Sequence, residues 1–67
     1  MIAGSKALHD GESDGRIDAG QHVPKFDPKS NNPYLPAVRR RTRELAAQYE
    51  AGYRYGFTEA QRERSAR

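Results

Sequence analysis

Four arginines, Arg39, Arg40, Arg41 and Arg43, fall within five residues of one another, and the segment 33–67 that contains them holds eight arginines, four glutamates and no lysine. Arginine presents a planar fork of donors that matches phosphate oxygens and stacks on bases, so an all-arginine basic segment points to nucleic acid. On a helix consecutive residues fan about 100° apart, and these four would spread charge around most of a cylinder. Engaging four to six phosphates would give log affinity a slope of roughly −3 to −4 against log salt on a single strand. Arg54 is a further candidate for phosphate contact. Among the tyrosines, Tyr55 stands off the apolar face and is the candidate base-stacking or partner residue. Tyr49 and Tyr53 lie on the apolar face and are expected in the core.

Other chemistries fail on spacing. His9 and His22 lack the short spacing of a zinc site, and the chain has no cysteine, so no metal is expected. Ser5, Ser13, His9 and Asp10 form no credible nucleophile set in a chain too small to orient a base and exclude water. Lys6 precedes Gly11 and Gly15 with no leading strand, which rules out a phosphate-binding P-loop. The expectation is a protein that is not an enzyme and needs no cofactor.

What must position these residues is limited by a 7.6 kDa chain with a net charge of +3. Leu, Ile, Val and Phe number nine, about 13%, below the roughly 20% at which strongly charged chains are usually disordered. The modest net charge leaves folding open. Such a chain buries only about 60% of its unfolded surface and is expected to form one small domain, residues 1–67. No apolar run approaches a membrane span, the first residues carry no secretory pattern, and the cytoplasm is the expected location.

Pro24, Pro28, Pro33 and Pro36 mark a connector over residues 20–35, with Val23 and Phe26 expected to pin it to a helix. From Pro36, placed in the first turn, Val38, Thr42, Leu45, Tyr49, Gly52/Tyr53, Gly56/Phe57 and Ala60 keep the 3-and-4 spacing of one helical face. Glu50 and Arg54 are spaced as an i,i+4 ion pair. This second helix is expected over 36–62, with 63–67 a frayed tail. Ala7, Gly11, Gly15 and Ala19 recur every fourth residue, so a first helix is expected over about 5–19 with Ser5 as its N-cap. Two interior glycines cost roughly 1 kcal/mol each relative to alanine, which makes sense only if a second helix approaches closely, against the strip Gly52, Gly56, Ala60. The expected class is all-α: a small helical hairpin with a short first helix, a long connector and a long second helix.

Ala7-x-x-x-Gly11-x-x-x-Gly15, then Asn32-Pro33-Tyr34, then Tyr49-x-x-Gly52-Tyr53 resembles the ribosome modulation factor family, which carries Trp where Tyr49 and Tyr53 stand here. The resemblance marks Ala7, Gly11, Gly15, Pro33, Tyr34, Tyr49, Gly52, Tyr53 and Gly56 as its structural motif. It implies a two-helix ribosome hibernation protein that binds ribosomal RNA on the small subunit, blocks initiation and pairs idle ribosomes. Asp10, Glu12 and Asp14 make the first helix acidic, unlike the founding members, and are expected to weaken RNA contact there. Two other readings stand beside this one. A phage- or plasmid-type protein could use the same arginines to grip an acidic protein partner or form a homodimer, and one branch of the family is described as modifying a fluoroquinolone.

Overall fold

The computed structural model describes residues 5–66. Helix α1 spans Ser5–Ala19 and α2 spans Arg40–Ser65, with no strand among the described residues. The chain is thus an all-α helical hairpin with a short first helix and a long second one. The capping role expected of the Ser5 side chain, and Arg67 at the chain end, lie outside the described residues.

The two helices meet through glycine. A Cβ on Gly11 would fall onto the carbonyl oxygen of Tyr49 and within 2.9 Å of the amide of Tyr53; one on Gly52 would strike the carbonyl oxygen of Leu8 and come within 3.0 Å of the amide of Glu12. Gly15 meets Tyr53 and Phe57 in the same way, and Gly56 meets Glu12. Backbone touches backbone at four points, which explains why two residues so unfavourable inside a helix sit in each one. Ala7 and Ala19, both fully buried, extend the contact strip along α1.

This register fixes direction. Moving four residues up α1, from Gly11 to Gly15, moves four residues up α2, from Tyr49 to Tyr53, so the helices run parallel. The connector, residues 20–39, therefore returns the chain along the whole of α1. Its contacts descend α2 as they must. Phe26 packs edge-on against Phe57 and Tyr53 at ring separations of 5.3 and 5.4 Å. The Asp27 amide donates to the Tyr53 hydroxyl at 3.0 Å, and the Asn32 Nδ2 donates to the Ala46 carbonyl at 3.2 Å. Val23, expected to help pin the connector, is 76% exposed; Phe26 does so without it.

Residues 36–39 are not helical, so α2 begins four residues later than the spacing predicts. Val38 shows why: it is 78% exposed, and with no apolar surface opposite it nothing holds that turn in place. Ala46, at 4% exposure, is the first buried residue of the helix. At the other end α2 continues through Ser65, where a frayed tail was expected. Arg64 donates to the Ala19 carbonyl at 2.7 Å and Glu63 pairs with Arg16 at 3.3 Å, so this last turn is tied to α1.

The core, to one side of the glycine seam, is a ladder of Tyr49, Tyr53 and Phe57, one helical turn apart, with ring separations of 6.4 and 6.1 Å. Both tyrosines are fully buried, yet each hydroxyl finds a carboxylate on α1: Tyr49 donates to Asp14 and Tyr53 to Asp18. Tyr34 closes the ladder edge-on against Tyr49 at 6.4 Å. Its turn is held by Asn32, whose Oδ1 accepts the Tyr34 amide at 3.0 Å, with Pro33 at the turn position that its fixed φ suits.

Gly52→Ala is expected to cost about 1–3 kcal/mol through the collision, although alanine favours a helix by about 1 kcal/mol. Thermal unfolding followed by circular dichroism measures this. A Gly20→Ala control, whose Cβ would meet carbonyls at an ordinary 3.5 Å, stays within about 0.5 kcal/mol, and a Gly52→Ala variant as stable as the parent contradicts the close approach. A second expectation concerns pH. Burial, then the hydrogen bond to Asp18, pushes Tyr53 up to about 12, and burial and Asp14 raise Tyr49 as well. Groups with folded pKa values above the unfolded value near 10 contribute stability that is complete below that pH and lost as pH rises through the folded values. Helicity should hold to about pH 10 and fall towards pH 12 together with the rise in phenolate absorbance; full ionisation with helicity intact contradicts it.

Candidate nucleic-acid interface

Because Leu8 lies against Gly52 and Gly11 against Tyr49, α1 starts level with the second turn of α2. The first residues of α2, Arg40 to about Leu45, overhang the start of α1 by roughly 10 Å. Arg39, Arg40, Arg41 and Arg43 stand on this overhang and all are exposed. Arg40 reaches Glu44 at 3.6 Å. Arg39, Arg41 and Arg43 make no ion pair among the described residues.

The backbone adds to this charge. Parallel helices place both N-termini, the positive ends of their dipoles, at the same end of the molecule. The first turn of α2 has no acidic residue and its N-cap, Arg39, makes no side-chain cap hydrogen bond. The opposite end of α1 is fully satisfied: Gly20 donates to the carbonyls of Arg16 and Ile17, Gln21 to that of Asp18, and Arg64 to that of Ala19. The orphan N–H donors of both helices lie at their starts, and so at the arginine pole.

The carboxylates of the acidic first helix are all engaged within the chain. Asp14 and Asp18 are turned inward onto the two core tyrosines, Asp10 pairs with Lys6 at 2.8 Å and Glu12 with Arg16 at 3.7 Å. In the connector Asp27 accepts from the Ser30 amide and hydroxyl, which hold its carboxyl below the usual range. Glu59 and Glu63 pair with Arg62 and Arg16. Among the described residues only Glu50 of the nine carboxylates has no partner. Of the residues expected to weaken anion binding, Asp10 and Glu12 are thus ion-paired, whereas Asp14 keeps its charge and is turned inward onto the Tyr49 hydroxyl.

Two candidate residues lie elsewhere. Arg54 is roughly 16 Å along the helix from Arg43; it does not pair with Glu50 but lies over the Phe26 ring, 5.3 Å from the centroid. Tyr55, 57% exposed, stands on the α1 flank within electrostatic reach of Arg16. No family model, curated protein or solved structure matches the chain. The functional reading accordingly rests on this geometry. Among the described residues no cluster of three or more His, Asp or Glu could hold a metal, and no helix is long and apolar enough to cross a membrane.

Asn32 is the functional-scale residue that sequence reasoning undervalued. It is 6% exposed, and by joining the Tyr34 turn to the Ala46 carbonyl it holds the connector beneath the arginine overhang. Its signal was the Asn-Pro-Tyr order, in which an Asn side chain can mimic a backbone turn.

Cations in a first helical turn oppose the dipole, and Arg41 makes no compensating contact. Arg41→Glu should therefore stabilise the free protein, by about 0.3–1 kcal/mol at low salt. Thermal unfolding of both forms at low ionic strength measures it, and a loss of stability would show that Arg41 has a structural role instead.

Proposed function

We propose that this is a small RNA-binding protein and that its target is ribosomal RNA, gripped through Arg39, Arg41 and Arg43. The observation that carries the reading is the pole itself: three exposed, unpaired guanidinium groups beside an uncapped helix start, in a chain where nearly every carboxylate is engaged. Guanidinium groups and free first-turn amides are both phosphate ligands. A site that accepts unfavourable charge in the free protein gains it back when an anion arrives.

The resemblance to the ribosome modulation factor family supports the ribosome as the source of that RNA, and the glycine and tyrosine positions that carry it are those on which the two helices pack. An acidic protein partner would meet the same arginines. Ribosomal RNA is favoured because guanidinium groups and first-turn amides match phosphate oxygens, while on α1 Asp10 and Glu12 are ion-paired and Asp14 and Asp18 are turned inward.

Replacing Arg39, Arg41 and Arg43 together by Glu should abolish co-sedimentation with ribosomes without loss of helicity. The unsubstituted protein should lose its partner when lysate is treated with nuclease before pull-down. Unchanged co-sedimentation of the triple variant contradicts the proposal, and a partner that survives nuclease transfers the site to an acidic protein.

A further inference from the structure

The outward side of α2 carries a second pattern, beyond the first-turn arginines. Arg40, Arg43, Ala47, Arg54, Thr58 and Gln61 follow 3-, 4- and 7-residue steps, the spacing of one helical stripe, and every one is exposed. The stripe is roughly 32 Å long from Arg40 to Gln61. It faces away from α1, whose contacts are made by Gly52 and Gly56. Two carboxylates border it: Glu44, paired with Arg40, and the half-buried Glu50, three residues from Ala47 and four from Arg54.

The stripe also lacks an aromatic platform. Tyr49, Tyr53 and Phe57 are buried, Tyr34 is half-buried against Tyr49, and Phe26, 42% exposed at the edge of the stripe, has one face covered by the guanidinium of Arg54. Tyr55, the most exposed ring, is turned about 100° from its neighbour Arg54, towards the α1 flank. Unstacked strands are recognised by aromatic side chains on which bases splay and stack. A straight stripe of arginines separated by small and hydroxyl or amide side chains offers something else: charge for a row of phosphates, close approach at Ala47, and hydrogen-bonding groups at Thr58 and Gln61 that suit ribose 2′-hydroxyls. Helical RNA presents those groups together along its shallow minor groove.

Resting on the RNA-binding reading above, we propose that the interface extends along the outer stripe of α2 and that its ligand is base-paired, helical RNA. Fluorescence anisotropy at one fixed salt concentration tests this, comparing a labelled RNA hairpin with an unpaired oligouridine of equal phosphate count. The hairpin should bind about tenfold more tightly or better. Ala47→Glu and Thr58→Glu, both exposed substitutions far from the helix contact, should each weaken hairpin binding by about tenfold, whereas Ser13→Glu on the exposed side of α1 changes it less than about twofold. Circular dichroism verifies that each variant is folded. Equal binding of the unpaired strand, or unaltered hairpin binding by both stripe variants, overturns the inference while leaving RNA binding at the arginine pole in place. Absence of binding to either RNA removes both.

Discussion

The backbone-to-backbone approach of the two helices at Gly11, Gly15, Gly52 and Gly56 is the constraint on which the rest depends. At this separation no side chain fits between the axes, so every larger residue must lie to the side of the seam. The tyrosine ladder occupies one side, where the hydroxyls of Tyr49 and Tyr53 reach Asp14 and Asp18 on the other helix. The connector then covers the ladder, and Phe26 and Tyr34 seat it there. A first helix with two interior glycines would not persist alone; its existence is tertiary, produced by the partner that those same glycines admit.

Parallel direction follows from the register and explains the connector. Two parallel helices cannot be joined by a short turn, and residues 20–39 run back the length of α1 before α2 can begin. The molecule is correspondingly flat, 42 × 25 × 11 Å between Cα extremes. Most of the large aliphatic residues stay on its surface: Leu8, Ile17, Val23, Leu35 and Val38 are all at least 39% exposed. Stability rests instead on close packing of small residues and on buried polar groups that are individually satisfied. No buried side-chain polar atom lacks a partner among the described residues, as a core this thin requires.

Much of this was legible in the sequence. Glycine and alanine at four-residue spacing, unfavourable in isolated helices, announced a close helix contact, and Tyr49 and Tyr53 were placed in the core by their position on the same face. The polar partners were not legible. Nothing local marks Asp14 and Asp18 as core partners, because the tyrosines they meet lie 35 residues away. The start of α2 was misjudged because Pro36 and Val38 satisfy the local rules for a first turn, whereas burial there depends on what stands opposite. Helix direction was equally hidden, since a spacing pattern reads the same from either end. Of the candidate interface, the arginine run was evident as composition. The freedom of Arg39, Arg41 and Arg43 from ion pairs among the described residues, and the place of the run at a shared helix pole, emerge only in three dimensions.

That shared pole links fold to the proposed function: parallel packing aligns two helix starts, and the arginines of α2 overhang the start of α1. The chain has no native cysteine, so paired spin labels can be placed cleanly at exposed positions. Distances measured by electron–electron double resonance between Ile17→Cys and Thr58→Cys, and between His9→Cys and Thr58→Cys, test the direction of packing. In the parallel register Ile17 is level with Thr58, whereas His9 is displaced from it by roughly 12 Å along the axis, so the His9 pair is the longer of the two. The opposite order, with the His9 pair the shorter, would contradict the account.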